Sequence, residues 1–374
     1  MADGRAPEHE TIIAIQALRA LAATAVVVGH FQFDLGRIMN AREALPDLTV
    51  GYAGVDLFFV ISGFVMVYAS EPMFGRASGP ASFLARRVIR IVPLYWLVTT
   101  LYLALALALP AFEKSYSAAS VVASYLFIPL PRPDGTMQPL VGQGWTLNYE
   151  MFFYVIFAAA VAAPRRMAVA LVSAVLIAGV LAGRIFQPAS PTVAFWLDPI
   201  ILEFVFGMAI GLAYREGVRV PKPLALLAMA AGFALMLVAH RYADARVLFW
   251  GLPAAIIVAG AAFGDFAMRS PAWRPVAVVG DASYALYLFH SIPVRAVLLL
   301  CAWAGLDAAS RPALYLAAAV IGAIALAVAL YYLFERPVTR LLRRQLPPAG
   351  RGWTVEKPVS AGIPASDIKT LGVK

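Results

Sequence analysis

A recurring apolar run of about 20 residues restricts this chain more than any other feature, because that length crosses a hydrocarbon layer ~30 Å thick as one α-helix. Ten such runs lie near 12–33, 50–70, 90–109, 145–163, 167–186, 193–214, 222–240, 246–264, 276–304 and 312–334. A helix satisfies its backbone within a single segment, which lipid demands. The runs therefore predict an all-α, polytopic membrane protein with about ten transmembrane helices. Composition agrees: 62% of residues are hydrophobic and mean hydropathy is +0.79, whereas soluble domains are about half apolar. A shorter run, 117–130, ends in the Pro-rich PLPRPDG. It is expected to lie at the interface or to re-enter.

Lys and Arg set the orientation. With the N-terminus inside, twenty of the thirty fall on inner segments and eight on outer ones, while Arg19 and Arg295 lie within spans. That asymmetry predicts cytoplasmic termini. Three parts are expected: an N-terminal segment (1–10), a membrane domain (11–337), and a basic, disordered cytoplasmic tail (338–374). No cleavable signal and no fused soluble domain are expected. The net charge of +9 sits in particular connections, so it signals topology and not a nucleic-acid partner. Cys301 is the single cysteine, which excludes an internal disulfide and a thiolate metal cluster. No metal is expected. Walker, HExxH, CxxC and GxSxG patterns are absent from the sequence, which argues against ATP hydrolysis, zinc catalysis and a serine hydrolase.

Ionisable residues inside the runs carry the chemistry, since hydrocarbon rejects them unless they face a bundle interior or a wet cavity. The first run holds Arg19 and His30, eleven positions apart. At 100° per residue both point to one face, about 16 Å apart along the axis. The second run places Asp56 near the depth of His30, followed by Ser62 and Gly63, a pair that also suits close helix packing. Arg86, Arg87 and Arg90 stand at the inner start of the third. They read as positive-inside anchors or as a phosphate clamp, because guanidinium forks match phosphate oxygens. The fourth run opens WTLNYEMFFY, with Glu150 again near the depth of His30, and with Trp145 and Tyr149 suited to an interfacial belt. Asp198 and Glu203 lie in the sixth, whose GMAIG reads as a packing motif. Ser283, His290 and Arg295 lie in the ninth. His290 reads equally as a ligand-facing or a core histidine. A carboxylate beside an imidazole fixes its tautomer and raises its basicity, which suits a general base. An acyl-CoA would span the distance from the inner arginines to His30, its phosphates cytosolic and its thioester inside the bundle.

These motifs resemble the acyltransferase 3 family of integral-membrane acyltransferases over about residues 10–340. Arg19 and His30 match its Arg-x10-His. GVDLFFVISGF (54–64), Arg87 and Arg90 as RxxR, WTLNYEMFFY (145–154), SYALYLFH (283–290) and FERP (334–337) are similar to further family segments. The family's second acidic position in WTLNYEMFFY is Met151 here, which leaves Glu150 to act alone. The resemblance implies O-acylation, usually acetylation, of a carbohydrate hydroxyl with acetyl-CoA as donor. The chain looks most like members acting in exopolysaccharide production in the bacterial inner membrane, on a polysaccharide or its lipid-linked precursor, alone or beside other polysaccharide-assembly proteins. By the same resemblance His30 is catalytic with Arg19 in support, and Asp56 or Glu150 orients the imidazole. Arg86, Arg87 and Arg90 bind the donor, Ser62 lines the donor site as an alternative acyl carrier, and Trp145 and His290 contact the acceptor. Two alternatives stand beside this: a transporter or flippase without bond chemistry, and an acyltransferase of a lipid or secondary metabolite.

Overall fold

The structure, a computed structural model, describes residues 6–108, 116–239, 245–264, 266, 268, 270–307 and 310–346, with side chains from Ile13 onward. Residues 1–5 and 347–374, half of the expected N-terminal segment and most of the expected tail, lie outside the described residues. So do Lys114, Arg241 and Arg269 of the charge pattern. Among the described residues regular structure is helical, apart from one isolated bridge between Val220 and Gly264.

The helices in chain order are α1 (Ala6–Met39), α2 (Gly54–Ala69), α3 (Gly79–Ala108), α4 (Ala118–Tyr125), α5 (Trp145–Ala160), α6 (Arg165–Phe186), α7 (Pro191–Trp196), α8 (Leu202–Arg215), α9 (Lys222–Ala239), α10 (Leu252–Phe263), α11 (Arg274–Asp281), α12 (Ser283–Phe289), α13 (Ser291–Trp303), α14 (Pro312–Leu330) and α15 (Arg336–Arg343). Every expected apolar run is helical over its described residues, which agrees with a polytopic membrane protein, while the count of long apolar helices is lower than ten. Among the described residues six helical stretches are long and apolar enough to cross, and the bent pair α12–α13 makes up to a seventh. Lys222–Val238 and Val247–Phe263 are shorter apolar helices, and at 1.5 Å per residue 17 residues reach only about 26 Å. The fourth run is a helix of 16 residues, interrupted by the polar Asn148 and Glu150. The ninth breaks into α11, α12 and α13, with 47° between the last two at His290. The short run became α4, eight residues long, which spans nothing. The tail region begins with α15 and not with irregular chain.

α1 is the hub, packed against α2, α10, α11, α12, α13 and α14. Its small residues explain why. Gly54 of α2 lies so close to the Ala22 carbonyl, and Gly51 to the Ala25 carbonyl, that a Cβ on either would collide with backbone. Small residues on facing surfaces let helix backbones touch, which is the main packing device where lipid removes the hydrophobic drive. The α2–α8 crossing uses the same device. Gly63 faces Gly207, and Gly211 sits against Phe64 and Val67, so GMAIG is the packing motif expected of it.

Candidate active site

The two polar ends of the α1 face reach different surroundings. At one end the His30 ring meets Tyr52 edge-on, with centroids 5.0 Å apart, and His290 edge-on at 4.7 Å. His30 Nδ1 lies 2.9 Å from the Val26 carbonyl oxygen. A carbonyl oxygen only accepts, so Nδ1 carries the proton and the neutral ring keeps its lone pair on Nε2. His290 repeats the arrangement: Nδ1 donates to the Tyr287 carbonyl at 2.8 Å, and its buried Nε2 meets no partner. One turn beyond His30, Asp34 accepts from Arg295 Nε of α13 at 3.2 Å.

The positions flanking His290 are anchored to the turn Gly142–Gly144 that precedes α5. Tyr287 Oη donates to the Gln143 carbonyl at 2.9 Å and pairs with Thr146 Oγ1 at 2.9 Å. The Gln143 amide donates to Ser291 Oγ. The helix break therefore places a rigid imidazole opposite His30.

At the other end, Arg19 of α1 and Arg90 of α3 share electrostatic reach of the buried Glu335, the acid of FERP. Arg87 lies over the Phe83 ring at 5.5 Å and within reach of Tyr154, and Arg86 is beside Arg87. Between the two ends, Tyr154 Oη and Ser62 Oγ both donate to Glu150 Oε1, at 2.7 Å and 2.9 Å. Tyr284 donates to the Ile91 carbonyl at 2.9 Å and lies within reach of Glu335 and Glu150. Polar groups thus run through the bundle from the α3 arginines to the histidine pair.

Several expected contacts are redistributed. Neither carboxylate proposed for His30 bonds to it among the described residues. Asp56, wholly buried, accepts from Arg246 Nε at 2.9 Å and Nη2 at 2.7 Å, and Glu203 lies beside it. Glu150 is taken by Ser62 and Tyr154. The backbone carbonyl of Val26 fixes the His30 tautomer in their place. Trp145 stands against Arg246, 5.8 Å from the guanidinium to the ring centroid, and Phe59. Tyr149 is no belt residue: it is buried and stacked on Phe195 at 4.0 Å. Sequence reasoning missed Asp34, Tyr52, Tyr287 and Gln143 as parts of the His30 surroundings. Only Asp34 carried a local signal, standing four residues after His30 on one helix face. Among the described residues no group of three or more His, Cys, Asp and Glu is placed to hold a metal ion.

A family model described as an acyltransferase domain matches residues 12–332, which include both histidines, Arg19 and the α3 arginines. The exopolysaccharide production protein ExoZ of Rhizobium meliloti (strain 1021) is 37% identical over 316 residues, covering 83% of this chain and 96% of that protein. The acyltransferase MdmB of Streptomyces mycarofaciens is 28% identical over 382 residues, covering 92% of this chain and 95% of its own. No solved structure matches the chain. The extent of the family match and the near full-length similarity to ExoZ agree with the motifs first read along the sequence, and the chain belongs to the acyltransferase 3 family of membrane acyltransferases.

Proposed function

We propose that this protein moves an acetyl group from acetyl-CoA to a hydroxyl of an exopolysaccharide, or of its lipid-linked precursor, in the bacterial cytoplasmic membrane. The observation that carries this reading is His30, whose Nδ1 is held by Val26 so that Nε2 is free as a base. The acceptor class follows the similarity to an exopolysaccharide production protein. The donor follows the run of polar groups leading to Arg86, Arg87 and Arg90, which would grip the CoA phosphates from the cytoplasmic side with Arg19 nearby. Glu150 and Ser62 would line the path of the pantetheine arm, and Trp145 would stand at the acceptor side.

In the reaction His30 Nε2 takes the proton of the acceptor hydroxyl. The oxygen attacks the thioester carbon, the C–S bond breaks, and the departing sulfur receives the proton given up by the imidazolium, leaving as the thiol. Atoms and charge balance without a metal or a redox partner. Asp56 is given to holding Arg246.

The test is acetyl transfer from labelled acetyl-CoA by detergent-purified protein to polysaccharide stripped of its O-acetyl groups. Wild type labels the glycan, and His30→Ala falls by at least 10²-fold, the usual contribution of a general base. Equal labelling by both removes His30 as the base. No labelling by wild type, with acetyl-CoA bound, refutes the acceptor.

A further inference from the structure

His290 has surroundings that a single-base mechanism leaves unexplained. Its ring is completely buried, yet Nε2 has no hydrogen-bond partner. Burying a polar atom unsatisfied is unfavourable, and such atoms in native proteins call for a reason. The fold holds it there from three directions: the 47° break between α12 and α13, the Nδ1 bond to Tyr287, and the anchoring of Tyr287 and Ser291 to the Gly142–Gly144 turn. The free lone pair belongs to a ring 4.7 Å from that of His30. The two rings meet edge-on, with 67° between their planes, so the histidines are direct neighbours. His30 is the more exposed of the two and touches Tyr52, while His290 lies behind it.

We propose that His290 is a second proton carrier, taking from His30 the proton of the acceptor hydroxyl and delivering it to the departing thiolate. This rests on the acyl-transfer reading above. The acceptor O–H bond breaks and Nε2 of His30 gains the proton. The oxygen–acyl bond forms, and the imidazolium passes its proton to the vacant Nε2 of His290. The C–S bond then breaks as sulfur takes the proton from His290. Both rings end neutral, and the products are the ester and the free thiol.

The experiment compares wild type, His290→Gln and His30→Gln with two donors, acetyl-CoA and 4-nitrophenyl acetate, whose phenolate departs without a proton. His290→Gln is expected to lose about 10²-fold in kcat with acetyl-CoA, with KM little changed, and to stay within a few-fold of wild type with the activated ester. His30→Gln loses both donors. No loss in His290→Gln overturns the relay, as does an equal loss on both donors at an unchanged unfolding temperature. A second measurement needs no variant. Across acetyl thioesters of increasing thiol acidity, protonated departure makes the wild-type rate nearly insensitive to the thiol, and a steep dependence overturns the relay. Failure of wild type with every donor overturns the acyl-transfer reading itself, and the relay with it.

Discussion

At the scale of single residues one costly arrangement is Asp56, whose carboxylate has no exposure while its partner Arg246 keeps a quarter of its side-chain surface. Two hydrogen bonds, at 2.9 and 2.7 Å, join them, and Arg246 also lies 4.8 Å from the Trp250 ring centroid. A buried pair of this kind adds little net stability, but removing one partner strands the other charge, at about 3–5 kcal/mol. Arg246→Ala should therefore lower the unfolding temperature in detergent markedly, and adding Asp56→Asn should recover a good part of the loss. An Arg246→Ala protein as stable as wild type would refute the role. The same residues show how far single positions could be read. His30, Arg19, Asp56 and His290 stood out because hydrocarbon rejects them. Their partners did not, since Arg246 is 190 positions from Asp56 and looked like one more outer-loop cation. The tautomer-fixing group of His30 is a backbone carbonyl, which no side-chain pattern announces.

Among elements, the contact between α2 and α8 decides whether the bundle closes. Gly207 has the Val60 carbonyl, Phe64 N and Gly63 Cα pressed against the place a Cβ would occupy, and Gly63 has the Phe204 carbonyl. These are backbone atoms, which no rotamer change relieves. Gly207→Ala and Gly63→Ala should each cost about 1–3 kcal/mol or more by overpacking. Gly179 of α6 serves as the control, because its added methyl would meet only Leu197 Cδ2 at 3.2 Å, while Ala favours the helix by up to ~1 kcal/mol. Thermal unfolding of the three variants should rank Gly179→Ala near or above wild type and the other two well below it. A Gly207→Ala protein as stable as wild type would mean that the α2–α8 backbones are farther apart. Helix positions were legible because apolar runs are; lengths and breaks were not. The bend at His290 and the π turns Val247–Gly251 and Tyr331–Glu335 lie inside apolar runs, and hydropathy averages across them.

For the whole molecule, the connections sort to two ends. Glu71 accepts from Arg165 at 2.7 Å, Arg166 donates to Glu216 at 2.6 Å, and Val220 N bonds to the Phe263 carbonyl at 3.0 Å. The links after α2, α5, α8 and α10 therefore gather together. At the other end Thr192 donates to the Pro129 carbonyl at 2.7 Å, joining the segments before α5 and at the start of α7. The Glu71–Arg165 end carries the connections richer in Lys and Arg, and by the positive-inside rule it is the end expected in the cytoplasm. Cys301, the single cysteine, is buried, so a membrane-impermeant maleimide should leave the wild type nearly unlabelled. In intact cells Pro133→Cys should then be labelled directly, and Val218→Cys only after the membrane is opened. The reverse pattern would place the α3 arginines outside, away from cytosolic CoA. It would remove the proposed donor route even if His30 proved essential, because acetyl-CoA, as proposed, would reach His30 from the side on which its phosphates could be held.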